Sequence, residues 1–240
     1  MPLKFSENKN ILKHLGIIMD GNRRWAKSKK LDSIEGHKKG IETAKIIINE
    51  AIKKNILYIT LYAFSSENWK REPTEIEGLM DLLRVFLDTE IKKLSDSGVK
   101  LTVLGDLRQF DKDIRENIKK ASKLNKKNFK INLIMAINYG ARQEITNAVQ
   151  KVCKKLLLKK ITLKQVNQKE ITSNLYTKNI PDPDLIIRTG GDSRLSNFLL
   201  WQAAYSELIF FKKPWPDFTK KDFSKAILDY NNRERRFGGK

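Results

Sequence analysis

The chain has 240 residues, with 48 lysines and arginines against 28 aspartates and glutamates, and a formal charge of +20. That length holds one large α/β domain with a buried core and does not require a second, so 1–240 reads as one domain, with 1–13 an N-terminal arm. The single cysteine, Cys153, excludes an internal disulfide framework and a cysteine-built zinc site, which fits a reducing, cytoplasmic setting. The first 13 residues lack a signal-peptide core, and no run approaches the ~20 apolar residues of a membrane span, so membrane contact is expected to be peripheral. The charge favours an anionic partner: nucleic acid, acidic lipid or a phosphorylated substrate. Most of the excess is lysine along helical segments, which reads as a solvated face, and with no nucleic-acid motif present nucleic acid is not expected.

Leu15–Met19 is a short continuous apolar run, suited to a strand covered on both faces. It opens into Asp20-Gly21-Asn22-Arg23-Arg24-Trp25, where Gly21-Asn22 signals a tight turn. Asp20 offers a hard oxygen for a cation such as magnesium, and Arg23 and Arg24 offer planar donors to phosphate oxygens. A helix follows, with Asp32 and Glu35 a loose capping box and His37 four residues in. Alone, His37 reads as structural. The second strand, Ile56–Phe64, runs into Ser65-Ser66-Glu67-Asn68-Trp69.

The helix after Pro73 has Thr74 and Glu77 at capping-box spacing. Leu79, Leu82, Leu83, Val85, Phe86, Leu87 and Ile91 exceed one apolar stripe, so the surplus is either a second core contact or the wall of an apolar cavity, and broad apolar faces usually pack against protein. Val99–Leu104 and Ile131–Ile137 read as the third and fourth strands, the latter followed by Asn138-Tyr139-Gly140. Thr162 and Gln165 form a further capping box. Leu185–Ile187 is the fifth strand. It leads into Arg188-Thr189-Gly190-Gly191-Asp192-Ser193-Arg194-Leu195-Ser196, whose glycines are free to present backbone amides to an anion. Glu207–Phe211 is the sixth, and the chain ends on Arg235-Arg236-Phe237-Gly238-Gly239.

Strands alternating with helices predict an α/β fold with a six-stranded, mostly parallel sheet and helices on both faces. Ligands bind outside the carboxyl ends of such strands, and the polar clusters fall there repeatedly. Two phosphate cradles, at Asp20–Arg24 and Arg188–Ser196, suit a reaction between two phosphorylated molecules, while Walker-loop spacing is absent. A haloacid-dehalogenase-like phosphohydrolase would need a second acid at position 22, which is Asn.

Taken together, the segments HLGIIMDGNRRWAK, GHKKG, YAFSSENWKR, INYGARQEI, RTGGDSRLSNFLLWQAAYSELIF and RERRFGG resemble the cis-prenyltransferase family over nearly the whole chain. The resemblance implies the family fold with a hydrophobic tunnel, for which Ala63, Leu79, Leu83 and Phe86 are candidate linings. It also implies magnesium-dependent condensation of isopentenyl diphosphate onto an allylic diphosphate, farnesyl diphosphate by default. The product is a long-chain polyprenyl diphosphate such as undecaprenyl diphosphate, precursor of a cell-wall carrier lipid. By the same resemblance Asp20 is the metal-linked catalytic acid, and Glu207 is a further metal-associated acid. Gly21, Asn22, Arg23, Arg24 and Trp25 bind the allylic substrate, with His37, Ser65, Ser66, Glu67, Trp69 and Arg71 completing that pocket. Arg188, Arg194, Leu195 and Ser196 hold isopentenyl diphosphate. Asn68 assists proton removal, although a neutral amide is a poor base unless it works through water or orientation; Asp20 and a diphosphate oxygen are the other acceptors.

Three positions depart from the family pattern. Ser33 stands where many members place a diphosphate-binding arginine, Asp192 replaces a glutamate, and Arg23 replaces a glycine. The arginine/glycine tail, 231–240, implies a homodimer in which each tail reaches the partner's site.

Overall fold

Six strands pair side by side in the order β3-β4-β2-β1-β5-β6. They are β1 (His14–Ile18), β2 (Tyr58–Ser65), β3 (Val99–Leu104), β4 (Ile131–Tyr139), β5 (Leu185–Arg188) and β6 (Glu207–Phe210). The structure, a computed structural model, describes residues 11–125 and 128–235. The first ten residues of the expected arm, and 236–240 of the expected tail, lie outside the described residues. Every strand pair is parallel, so the mostly parallel expectation resolves to an all-parallel sheet. The helices are α1 (Asn22–Ser28), α2 (Ser33–Lys53), α3 (Pro73–Val85), α4 (Ile91–Asp96), α5 (Lys112–Lys123), α6 (Ala141–Leu157), α7 (Gln168–Thr172) and α8 (Lys220–Asn232).

Parallel strands are buried on both faces, which is why they read as continuous apolar runs. Successive residues serve opposite cores. Ile17 and Leu133 face one that also takes in Ile47 and Ile48 of α2, Met80 of α3, Ile114 of α5 and Phe223 of α8. Ile18 and Ile134 face the other, with Ala141 of α6 and Phe198. Two strands are longer than their apolar runs. Asn138 and Tyr139 belong to β4, and Arg188 to β5, because the ladder continues where side chains change from apolar to functional.

Helix starts differ from expectation in two places. Pro73 takes the first position of α3 and Glu72 is its cap, so Thr74 lies inside the helix and its box with Glu77 does not form; a proline at N1 has the required φ and no amide to satisfy. Asp32 caps α2 without a side-chain hydrogen bond. The Thr162–Gln165 box does form, on a three-residue 3-10 turn.

From β1 the chain moves to β2 on one side, while β5 lies on the other. β1 is therefore the topological switch point, the position at which an open α/β sheet leaves a crevice. Register aligns Ile18 with Tyr62 and Arg188, so Asp20 and the residues after Arg188 emerge together there.

Candidate active site at the switch point

Gly21 makes the exit from β1 possible. Its φ is +104°, and a Cβ there would fall 2.7 Å from the Pro214 side chain and 2.8 Å from its backbone. The turn is pinned on both sides: the Thr189 hydroxyl accepts from the Asp20 amide at 3.1 Å and donates to the Asp20 carbonyl at 2.8 Å, and the Trp215 amide donates to the same carbonyl at 2.9 Å. Gly190, at φ +89°, brings its backbone against Asp20 and Arg24, where a Cβ would meet both under 3.0 Å.

The Asp20 carboxylate is gripped by two guanidinium groups, Arg24 at 3.0 Å and Arg188 at 2.8 Å. Burial works to raise its pKa; the hydrogen bonds from Arg188 and Arg24 outweigh that and hold it below the usual aspartate value. Arg188 is only 5% exposed. It also donates to Ser196 Oγ at 2.7 Å and to the Arg194 carbonyl, and lies 3.4 Å from Asp192. Asp192 in turn reaches Arg24 at 3.5 Å and Arg194 at 3.0 Å. Its shorter side chain thus still spans the arginine cluster.

A second cationic group faces this one. Glu75, on the first turn of α3 and 6% exposed, takes Arg71 at 2.8 Å and Arg23 at 3.5 Å. His37 Nε2 lies 3.7 Å from the same carboxylate, too far for a hydrogen bond, and is a buried atom with no partner. Burial first, then the neighbouring Arg71 charge, pushes the His37 pKa down to about 4, so the ring is neutral at pH 7. Arg188 Nε and Asn22 Oδ1 are likewise buried and unpartnered. Native interiors rarely leave such groups unmet, and all three belong to residues lining one cavity.

After β2 a 3-10 turn, Ser66–Lys70, is closed by a capping box between Ser65 and Asn68. Asn68 Oδ1 accepts the Ser65 amide at 3.0 Å, which leaves the Asn68 side-chain NH2 as the group available to a ligand. Trp69 packs on Phe64 and Phe110 and donates to Asn138 Oδ1 at 3.0 Å. Glu67 accepts from Asn197 at 2.9 Å; burial opposes its ionisation, but that bond and nearby donors keep its pKa below the usual value.

The cavity has a volume of about 720 Å³. Its charged end carries Asp20, Arg23, Arg24, Arg71 and Arg188; its apolar part is walled by Ile41, Ala44 and Ile48 of α2, Leu79, Leu82, Leu83 and Phe86, and floored by Leu61, Ala63, Leu133 and Met135 of the sheet. All four tunnel candidates line it. The surplus apolar width after Pro73 is divided: Leu87 and Ile91 enter the core, while Val85 faces solvent.

Of the expected site residues, Asp20, Gly21, Asn22, Arg23, Arg24, Ser33, His37, Ser65, Asn68, Arg71 and Arg188 line the cavity. Arg194, Leu195 and Ser196 form the loop that Arg188 holds. Trp25, Ser66, Glu67 and Trp69 do not line it. Trp25 donates to Asp217 at 2.8 Å, and the other three brace the turn after β2. Glu207 is elsewhere: it opens β6 in register with Leu185, the first residue of β5, and pairs with Arg233 at 2.7 Å. That is the opposite edge of the sheet from Asp20, so the two acids of one chain do not share an ion. Asp20 and Asp192 instead supply carboxylate oxygens on either side of the Arg24–Arg188 pair, donor chemistry that suits magnesium when substrate phosphates complete its shell. Glu75, and the role of Thr189 in pinning the Asp20 turn, were not anticipated. An acid in a helix's first turn and a threonine after a strand are too ordinary to stand out.

A family model described as "Putative undecaprenyl diphosphate synthase" matches residues 18–238. An isoprenyl transferase from Clostridium perfringens is 47% identical over 227 residues, 95% of this chain and 90% of that protein. One from Rickettsia conorii is 48% identical over 236 residues, 98% of this chain and 97% of that protein. Among solved structures, lavandulyl diphosphate synthase from Lavandula x intermedia, in complex with dimethylallyl diphosphate, superposes with a TM-score of 0.92 at 33% identity, covering 95% of this chain and 98% of that one. A probable undecaprenyl diphosphate synthase from Campylobacter jejuni gives 0.78 at 37% identity, covering 95% and 99%. With the two guanidinium clusters and the apolar cavity behind them, these likenesses identify the chain as a member of the cis-prenyltransferase family, a prenyl transferase of the undecaprenyl diphosphate synthase type.

Proposed function

We propose that this enzyme extends an allylic diphosphate, with farnesyl diphosphate as the starter, by repeated cis addition of isopentenyl diphosphate, in a magnesium-dependent reaction. The product is a long-chain polyprenyl diphosphate of the undecaprenyl class, precursor of a cell-wall carrier lipid. The observation that carries this reading is one cavity of about 720 Å³ with two cationic groups at its mouth and an apolar interior. A reaction on a single phosphate would need only one of those groups and none of the apolar depth.

The allylic diphosphate sits among Arg23, Arg24, Arg71 and the Asn68 amide, with its hydrocarbon directed between α2 and α3. Isopentenyl diphosphate is held by Arg188, Arg194 and Ser196. Asp20 would hold magnesium together with the substrate phosphates, and the ion would supply charge neutralisation for the departing diphosphate. The arginines add fixed positive charge where negative charge develops. The isopentenyl double bond attacks the allylic carbon as its C–O bond breaks, and loss of a proton then sets the new double bond. Asp20 is a weak base because its arginines depress its pKa, His37 is weak because it is buried, and Asn68 offers a donor. A diphosphate oxygen is therefore the acceptor, with Asn68 orienting it.

Among the described residues β6 is an edge strand without a partner on its outer side, and it exposes Phe210, with Leu200 nearby in sequence also exposed. An open apolar edge invites pairing, which supports a homodimer through this face. Arg235 is bound within its own chain to Asp184 at 3.1 Å and to the Tyr230 hydroxyl at 2.9 Å. We place the enzyme in the cytoplasm with peripheral membrane contact.

The test is incubation with labelled isopentenyl diphosphate, farnesyl diphosphate and magnesium, read by mass spectrometry. The expected result is a ladder of long polyprenyl diphosphates, abolished by chelator and reduced at least about 100-fold by Asp20→Ala. No elongation from farnesyl, geranyl or geranylgeranyl starters would refute the reading.

A further inference from the structure

The C-terminal end of α6 carries a surface that has no part in the Asp20 site. α6 starts beside that site: a Cβ on Gly140, its N-cap, would touch Ser66 and Asn197. Because β4 and β5 are parallel, the connection must return to the other edge of the sheet, and the 17 residues of α6 span about 25 Å of that path at 1.5 Å per residue. At the far end Leu157 is 82% exposed and Leu158 56%, and Leu163 on the next turn is 76% exposed. Residues 145–169 contain seven lysines and no aspartate or glutamate. Lys155 is paired with Glu170 at 2.8 Å and Lys151 lies over the Tyr176 ring. Lys154, Lys159, Lys160 and Lys164 are exposed.

We propose that this end of the molecule, with Leu157, Leu158 and Leu163 set among Lys154, Lys159, Lys160 and Lys164, is a docking surface for an anionic lipid bilayer. Leucines this exposed are held in water at a cost that the acyl boundary of a bilayer removes, while the lysines around them meet phosphate headgroups with their stems along the apolar surface. A nucleic acid uses the charge but not the leucines, and the patch offers no aromatic ring for a base to stack on. The cavity strengthens the choice. From Asp20 it runs, on the other face of the sheet from α6, toward the same edge, reaching Leu133 early in β4 and Ile48 in the second half of α2. On the proposed function, the growing hydrocarbon extends toward the end of the molecule that meets lipid. Only that last step rests on the function; bilayer binding itself does not.

The experiment is co-sedimentation of the full chain, without substrate, with vesicles of phosphatidylcholine alone or mixed with phosphatidylglycerol. The wild type is expected to bind the mixed vesicles, to bind neutral ones far less, and to lose binding as salt rises. The pairs Leu157→Ser with Leu163→Ser, and Lys159→Glu with Lys160→Glu, are each expected to lower the partition coefficient about tenfold or more. Elongation in solution stays at the wild-type rate in both, which reports correct folding. Three results would overturn the proposal: no binding to mixed vesicles, or binding that survives both pairs; duplex DNA or RNA retention lost in the lysine pair without vesicle binding; or a fall in oligomer mass in the leucine pair, which would mark the patch as a contact between copies. Vesicle binding without elongation would refute the proposed function and leave the docking surface standing.

Discussion

His14 and His37 are both kept neutral by burial, with different consequences. His14 is tied to the Pro181 carbonyl at 2.6 Å and to the Thr60 hydroxyl at 2.8 Å, and its pKa is pushed down to about 4. The unfolded chain, with a histidine pKa near 6.5, therefore binds more protons than the folded one between pH 6.5 and 4. The stability from a neutral His14 is complete above that window and is lost as pH falls through it. Urea unfolding is expected to show about 2 kcal/mol less stability at pH 5 than at pH 7.5 from this group, and His14→Gln removes that share of the slope, leaving the share that His37 contributes. His37 answers to burial first and also to its cationic neighbours. Since the Arg71 charge is the second cause of its low pKa, Arg71→Ala is expected to raise the value measured by NMR titration. The same variant raises KM for the allylic diphosphate about tenfold, with a smaller change in kcat. Asp20 and Arg188 were legible because they sit directly after apolar runs; Glu75, which holds Arg71 and Arg23, was not, since an acid in the first turn of a helix is expected from the helix dipole alone.

At the scale of elements, α1 and α2 meet through glycine. A Cβ on Gly36 would lie 2.1 Å from the Asn22 carbonyl oxygen, and one on Gly40 would lie 2.6 Å from Asn22 Oδ1. The clash at position 36 is with backbone and has no flexible group to yield, so Gly36→Ala is expected to cost about 3 kcal/mol in urea unfolding and to lower activity by shifting the Asp20 turn. The helical run that starts at Pro73 continues through a π turn, Phe86–Glu90, into α4. A π turn inserts an extra residue and rotates the helix beyond it, so Phe86 faces the cavity while Leu87 and Ile91 face the core. All six strands could be placed from their apolar runs. The division of this helix could not, because a cavity wall and a core contact ask for the same side chains, and a helical period of 3.6 residues does not anticipate a π turn.

At the scale of the molecule, the parallel sheet separates two kinds of work. Its carboxyl edge gathers Asp20, Asn68 and Arg188 from three strand exits, a convergence that alternating strands and helices imply once the strands are ordered. Its amino edge holds Glu207 on Arg233 and the leucine–lysine end of α6. Glu207 was legible as the first residue of the sixth strand, hence at the amino edge of a parallel sheet; its metal role came from the motif match alone, which carries no information about edges. The central claim is that a single cavity serves the diphosphates at its mouth and the growing hydrocarbon in its depth. Leu83, on α3, lines the apolar part and packs against the core, so Leu83→Trp separates the two roles. The measurement is the product-length distribution by mass spectrometry beside the rate of the first addition to farnesyl diphosphate. The account predicts products shortened by several isoprene units with the first addition slowed no more than about threefold; an unchanged length distribution in an active variant would contradict it.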